Sequence, residues 1–174
     1  MYDGKTFIIN SAPGVGKSTL LAKLHSLLPN DFALLDGDDV GRVVPYENNI
    51  NWLNVIQDNI ADCCQNYKKY GFNNCVIGLV FPVRERINRI TNLLNERGFD
   101  VRHIILNCDN DIVYKRIVQR NTSKMINTEQ AINLNQEIEL LNCDIRIDTT
   151  SINADEVSIL VKNFIEKVIK NEIN

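Results

Sequence analysis

The sequence has little of what membrane, secreted and nucleic-acid-coating proteins need. No apolar run in its 174 residues approaches the roughly 20 residues of a membrane-spanning helix. The start of the chain leads into a short strand-like segment and has no signal-peptide pattern. Nineteen Lys and Arg residues stand against 22 Asp and Glu residues, so the broad positive field of a non-specific nucleic-acid binder is missing. We expect a cytoplasmic protein with no membrane partner.

Disulfide and metal-binding patterns are missing as well. The five cysteines form no C-x-x-C pair, and no histidine lies near them at metal-ligand spacing. We expect the cysteines to be small apolar core residues and the two histidines, His25 and His103, to have structural roles. Because no repeat, linker or low-complexity tract divides the chain, we predict one domain over residues 1–174.

What the chain does have is a regular alternation of short apolar runs with longer helical patterns. The first run, at residues 6–10, is followed by a glycine-rich turn and a leucine stripe. Further strand-like runs occur at residues 32–35, 75–80, 101–106 and 145–147. Such an alternation predicts an α/β fold in three layers, with a five-stranded, mainly parallel sheet.

Short signals mark several helix ends. Gly71 and Gly98 follow two helical patterns, where glycine commonly ends a helix. Asn153 and Glu156 have the spacing of a capping box, with Asn in place of Ser or Thr, and predict the start of the last helix.

Residues 11–18 carry the strongest chemical signal. They read Ser-Ala-Pro-Gly-Val-Gly-Lys-Ser, a near match to the phosphate-binding loop G-x-x-x-x-G-K-[ST], and lie between a predicted strand and helix. Small residues there let backbone N–H groups surround phosphate oxygens at the positive end of the helix. We predict that Lys17 contacts the β- and γ-phosphates and that Ser18 binds Mg²⁺. The predicted nucleotide-binding residues are Ala12, Pro13, Gly14, Val15, Gly16, Lys17, Ser18 and Thr19.

Ser11 is the one departure from this motif, which expects glycine at that position. A residue other than glycine makes any positive backbone angle costly. We therefore expect either an adjusted entry turn or an imperfect match to the motif.

The position of acidic residues separates the classes of protein that use such a loop. The third apolar run ends in Phe81-Pro82 without a carboxylate, and no guanine-reading N-K-x-D motif is present. Both gaps weigh against a GTPase switch and a mechanical ATPase. Carboxylates instead follow the second run, at Asp36, Asp38 and Asp39, where the carboxyl end of a parallel strand faces the ligand crevice.

At this acidic cluster the chain resembles the small P-loop kinases, which include gluconate, shikimate and adenylyl-sulfate kinases and polynucleotide end kinases. The resemblance covers nearly the whole chain in element order. It implies that Asp36 supports the Mg²⁺ shell and that Asp38 accepts the proton of an acceptor hydroxyl, with Asp39 as the rival base. Side chains two apart in extended chain point the same way, so we expect Asp36 and Asp38 to converge. The likeness also makes Arg42 a candidate for binding an anionic part of the acceptor.

The same resemblance implies a lid. Arg116 and Arg120 are four residues apart, on one helix face before a polar stretch. In these kinases such arginines cover ATP and balance charge on the transferred phosphoryl group, which predicts a short lid at about residues 121–127. Residues 148–150 resemble the loop that lies beside the adenine.

These features predict an ATP-dependent phosphotransferase that moves the γ-phosphoryl group of MgATP to a hydroxyl of a small molecule. Its predicted catalytic residues are Lys17, Asp38, Arg116 and Arg120. One alternative is a nucleoside monophosphate or polynucleotide 5′-end kinase, with nucleic acid as substrate and a basic groove near Arg42, Arg84 and Arg86. The other alternative is a non-catalytic nucleotide-binding regulatory module. We expect a monomer or a homodimer.

Overall fold

Five strands form one sheet in which every neighbouring pair runs parallel. In the computed structural model, residues 3–44, 49–119 and 127–170 are described. The strand order is β2-β3-β1-β4-β5, and all four pairings are parallel. The predicted α/β class with a five-stranded sheet is confirmed, and the sheet is parallel throughout.

The helices and strands lie close to the predicted segments. In chain order they are β1 Gly4–Asn10, α1 Lys17–Leu27, β2 Phe32–Asp36, α2 Ile50–Lys69, β3 Asn74–Leu79, α3 Arg84–Glu96, β4 Phe99–Asn107, α4 Asn110–Gln119, α5 Thr128–Glu139, β5 Ile145–Asp148 and α6 Ala154–Lys170, with a short 3₁₀ turn at Gly37–Asp39 after β2.

Helices cover both faces of the sheet, so that β1 is buried on each side. Phe7 and Ile9 belong to a buried cluster that includes side chains of α1 and α6. Ile8, between them, belongs to a second cluster with side chains of α2 and α3. This division follows from the two-residue repeat of a strand and gives the three-layer arrangement that the sequence predicts.

The helix-end signals act as the sequence predicts. Gly71 and Gly98 have φ values of 94° and 82°, in the left-handed region where glycine is favoured. Asn153 and Glu156 form a reciprocal cap: the N–H of Glu156 donates to Oδ1 of Asn153 at 3.0 Å, and the N–H of Asn153 donates to Oε2 of Glu156 at 2.7 Å. Local sequence therefore sets these boundaries.

Two expectations need adjustment. Cys64, Cys75 and Cys108 are buried free thiols, whereas Cys63 and Cys143 are only half-buried. The predicted lid and Arg120 lie outside the described residues, apart from Asn127, whose side chain accepts the N–H of Gln130 at 3.2 Å and caps α5. Asn127 thus belongs to a helix start. None of the helices in the described ranges is long and apolar enough to cross a membrane.

Candidate nucleotide and phosphoryl-transfer site

Two glycines with left-handed backbone angles shape the loop that joins β1 to α1. Gly14 has a φ of 87° and Gly16 a φ of 126°, and no residue but glycine has a positive φ within the described ranges. A Cβ atom on Gly14 would lie 2.8 Å from Cγ1 of Ile117, so both backbone strain and space exclude a side chain there. Ser11 enters the loop without a positive φ, so its departure from the motif creates no backbone strain.

The first turn of α1 is open to an anion. Its N-cap residue is Gly16, no side chain caps the helix, and no acidic residue lies in the first turn. The first N–H groups of a helix lack partners within the helix and carry a partial positive charge. They are therefore suited to phosphate oxygens. Among the predicted nucleotide-binding residues, Ser18 and Thr19 are exposed, Pro13 and Gly16 are half-buried, and Ala12, Gly14, Val15 and Lys17 are buried.

Lys17 extends from α1 to the end of β2, where it forms an ion pair with Asp36. Its Nζ atom lies 2.7 Å from Oδ1 and 2.9 Å from Oδ2 of the carboxylate. The side chains are only 9% and 20% exposed, so the pair is largely shielded from water. The hydroxyl of Ser18 donates to Oδ2 of Asp36 at 3.2 Å. The fold thus brings together the three residues to which the sequence assigns phosphate and magnesium roles, and the roles remain predictions.

Gly78 of β3 makes room for the stem of Lys17, and sequence reasoning missed it. A Cβ atom on Gly78 would lie 3.0 Å from Cδ and 3.1 Å from Cγ of Lys17, and 2.7 Å from Cδ1 of Leu21. Glycine inside an apolar strand is itself a signal, because it often marks a close approach of other atoms to the backbone. That signal could have pointed to Gly78.

Ser18 and Asp36 have the donor set that Mg²⁺ prefers in phosphate-transfer sites. This ion usually takes one or two protein oxygen ligands and keeps its other positions for water and substrate phosphates. A hydroxyl oxygen and a carboxylate oxygen 3.2 Å apart beside an anion-binding helix start fit that requirement. Within the described ranges, no cluster of three His, Cys, Asp or Glu residues forms a protein-only metal site. The residues present therefore fit a magnesium ion that arrives with a nucleotide.

Asp38 and Asp39 lie in the 3₁₀ turn at Gly37–Asp39, so the expectation that Asp36 and Asp38 converge as neighbours in extended chain is wrong in its premise. The chain leaves the strand at Asp36, whose Oδ1 accepts the N–H of Asp38 at 3.3 Å and caps the turn. The side chain of Asp36 therefore holds the backbone of Asp38 in place. The carboxyl groups of Asp38 and Asp39 are exposed, and Asp39 lies 3.3 Å from the guanidinium of Arg42, which is itself exposed.

Arg116 of α4 binds the phosphate loop to the segment after β5. Its Nη1 donates to the carbonyl of Val15 at 2.9 Å and to the hydroxyl of Thr149 at 3.0 Å, and its Nη2 donates to the carbonyl of Thr149 at 2.8 Å. These contacts use the planar fork of the guanidinium to join two loops that are distant in sequence. Arg116 therefore supports the nucleotide site from the side, and its predicted role on the transferred phosphoryl group remains a prediction.

A pocket of about 350 Å³ opens beside the phosphate loop. Its apolar wall includes Leu106, Ile152 and Val157, and its polar rim includes Thr149 and Asn153. This size and mixed lining suit the base and ribose of a nucleotide whose phosphates lie at the start of α1.

The segment after β5 is held in shape at the edge of this pocket. The hydroxyl and the N–H of Thr150 both donate to Oδ1 of Asp148, at 2.6 and 2.9 Å, and lower the pKa of that carboxyl. The N–H of Asp109 donates to the Thr150 hydroxyl at 2.9 Å. Contacts within the protein thus fix the loop that is predicted to lie beside an adenine.

Together, the parallel sheet in the order 2-3-1-4-5, the phosphate loop after β1 and the acidic turn after β2 define the P-loop kinase fold. Residues 8–140 match the family described as AAA domain, and the chain belongs to that family. No curated protein matches the chain.

Solved structures that resemble the chain along nearly its whole length include known kinases. A tunicamycin resistance protein from Deinococcus radiodurans is 18% identical, with a TM-score of 0.71 over 93% of this chain and 95% of that one. A gluconokinase from Sinorhizobium meliloti is 12% identical, with a TM-score of 0.68 over 99% and 97%. An APS kinase from Mycobacterium tuberculosis, solved with AMPPNP and APS, is 14% identical, with a TM-score of 0.67 over 95% and 99%. At these identities the likeness establishes the fold.

Proposed function

We propose that this protein is an ATP-dependent phosphotransferase that moves the γ-phosphoryl group of MgATP to a hydroxyl of a small-molecule acceptor. The observation that carries the proposal is the placement of Lys17, Ser18 and Asp36 at the open start of α1, with the exposed Asp38 in the next turn. One end of the sheet thus holds a buried ammonium group, two oxygen donors suited to magnesium and an exposed carboxylate, which supports the proposal.

Each residue has a distinct part in the proposed reaction. The N–H groups at the start of α1 and Lys17 hold the phosphates, and Ser18 and Asp36 supply oxygen ligands to the magnesium ion, which neutralises phosphate charge when bound. Asp38 accepts the proton of the acceptor hydroxyl as that oxygen bonds to the γ-phosphorus and the bond to the β-phosphate oxygen breaks. Lys17 stabilises the negative charge that develops on the departing oxygen. The products are the phosphorylated acceptor and ADP.

The surroundings of Arg86 favour an acceptor without a phosphate group. Arg86 donates to Oδ1 of Asn54 at 3.0 Å and to Oε1 of Gln57 at 3.3 Å, contacts that join α3 to α2. Arg42 pairs with the carboxylate of Asp39, but both side chains are exposed, so this pair leaves Arg42 open to a ligand. Of the three arginines that would form a basic acceptor groove, Arg86 is thus engaged in joining two helices, which supports a small hydroxyl compound over a nucleotide or a polynucleotide end.

The test is an ATP-consumption screen over pooled hydroxyl compounds, including gluconate, APS, tunicamycin, nucleosides and 5′-hydroxyl oligonucleotides. We expect one small acceptor to stimulate turnover and Lys17→Ala to abolish it. Lys23→Ala is the matched control, since Lys23 lies on the same helix and pairs with the exposed Asp155 at 2.6 Å. Normal turnover in Lys17→Ala would disprove the proposal.

A second comparison separates catalysis from simple nucleotide binding. We expect Asp38→Asn to lose turnover by about 100-fold or more, the usual effect of removing a general base, while ATP still binds. The same loss in Asp39→Asn, with Asp38→Asn active, would assign the base to Asp39. ATP binding without stimulation by any acceptor would instead favour a regulatory module.

A further inference from the structure

The ion pair with Asp36 engages the ammonium group of Lys17, which would otherwise bind the phosphates of a nucleotide. Both carboxylate oxygens of Asp36 lie within 2.9 Å of Nζ, and the side chains are 9% and 20% exposed. Charge-assisted hydrogen bonds of this geometry are among the stronger contacts in proteins. Phosphate oxygens that approach the loop must therefore compete with Asp36 for Lys17.

Asp36 also places a negative charge at the start of α1, where the proposed function puts the phosphates. Its Oδ2 accepts the hydroxyl of Ser18, the first residue after Lys17 at the start of α1. If Lys17 turned to the phosphates, the charge of Asp36 would no longer be balanced, and the carboxylate would repel the polyphosphate. Without a cation, both effects of Asp36 oppose nucleotide binding.

The stem of Lys17 is packed against β3, so a change of partner would involve the end of its side chain. The Cγ and Cδ atoms of Lys17 lie against Gly78, so the stem is packed on β3. Asp36 keeps its other contact, in which Oδ1 accepts the N–H of Asp38 at 3.3 Å.

We propose that Asp36 makes nucleotide binding depend on a divalent cation, because its carboxylate holds Lys17 until a cation takes the carboxylate charge and leaves Lys17 to the phosphates. This inference rests on the proposed nucleotide-binding function. Asp36 then weakens ATP binding when no cation is present and strengthens it when a cation is bound. Replacing Asp36 should therefore move the ATP affinity in EDTA and the ATP affinity in Mg²⁺ in opposite directions.

The test measures ATP binding by calorimetry in excess EDTA and in excess Mg²⁺, for the wild type and Asp36→Asn. The asparagine keeps the shape and an oxygen for the Asp38 N–H but removes the charge. We expect Asp36→Asn to tighten binding in EDTA by about tenfold or more, which corresponds to the loss of a competing charge-assisted hydrogen bond. In Mg²⁺ we expect ATP binding to weaken, because an amide oxygen is a poorer ligand for the cation than a carboxylate, so the affinities in EDTA and in Mg²⁺ become more alike.

Two further variants serve as a substitute for Asp36→Asn and as a control. Asp36→Ser removes the same charge and keeps a hydroxyl acceptor, so it replaces Asp36→Asn if that variant unfolds. Asp155→Asn removes a carboxylate that also pairs with a lysine of α1, since Asp155 lies 2.6 Å from Nζ of Lys23, but this carboxylate is exposed. We expect it to change binding in EDTA by less than about threefold, because water and salt screen an exposed charge.

The outcomes distinguish this inference from the proposed function. If wild-type protein binds ATP with Mg²⁺ but Asp36→Asn and Asp36→Ser bind no better in EDTA, the role of Asp36 is wrong and the nucleotide site stands. An equal gain in Asp155→Asn would also overturn the inference, because a general charge effect would then account for it. If no variant binds ATP in either condition, the proposed function fails and the inference fails with it.

Discussion

Replacing Arg116 by alanine tests whether this arginine builds the site or acts only on the transferred phosphoryl group. The substitution removes the three hydrogen bonds to Val15 and Thr149, which are 2.8 to 3.0 Å long. It also leaves two backbone carbonyls in a partly buried place without their charged donor. A role confined to the transition state predicts lost turnover in a protein of normal stability.

The expected loss of stability follows from these contacts. A hydrogen bond with a charged partner contributes about 1.5–3 kcal/mol, and bonds that share one guanidinium are not additive. We therefore expect Arg116→Ala to lower the free energy of unfolding by about 2–3 kcal/mol. For a chain of this length, that loss lowers Tm by about 4–12 °C.

The assay is thermal unfolding of the nucleotide-free protein, followed by ATP titration. Arg116→Lys should recover part of the stability, because one ammonium can reach one of the carbonyls but lacks the planar fork. Lys115→Ala is the control on the same helix, since Lys115 is exposed. An unchanged Tm in Arg116→Ala would refute the structural role.

Two further predictions concern Gly78 and His103. Gly78→Ala should lower the free energy of unfolding by about 1–3 kcal/mol and weaken ATP binding, because the new methyl group meets Leu21 and the stem of Lys17. A melting curve and an ATP titration measure the two effects. Burial lowers the pKa of His103, whose Nε2 has no hydrogen-bond partner in the described structure. As the pH falls, the unfolded chain therefore binds this proton at a higher pH than the folded chain does. The stability is full above about pH 6.5 and decreases as the pH drops below that value.

The controls for these two predictions are specific. In His103→Gln the fall in unfolding free energy between pH 7 and pH 5, followed by denaturant titration, should become smaller than in the wild type. An identical pH dependence in both proteins would contradict the account of His103. ATP binding by Gly78→Ala that equals the wild type would show that Lys17 does not depend on the space at this glycine.

Much of the fold could be predicted because its signals are local. The turn glycines Gly71 and Gly98, the Asn153–Glu156 cap and the phosphate loop each lie within a few residues and impose a backbone angle or a hydrogen bond directly. Alternating apolar runs likewise report burial on one or two faces of a strand. These features depend little on the rest of the chain.

Contacts between residues that are far apart in the sequence were decided by tertiary structure alone, because local patterns do not contain them. Lys17 and Asp36 are 19 residues apart, and Arg116 and Val15 are 101 apart, so their contacts depend on strand order and on where each strand ends. The sequence by itself determined the elements and the phosphate loop, because those follow from neighbouring residues. The packing of distant segments determined the partners of Lys17 and Arg116.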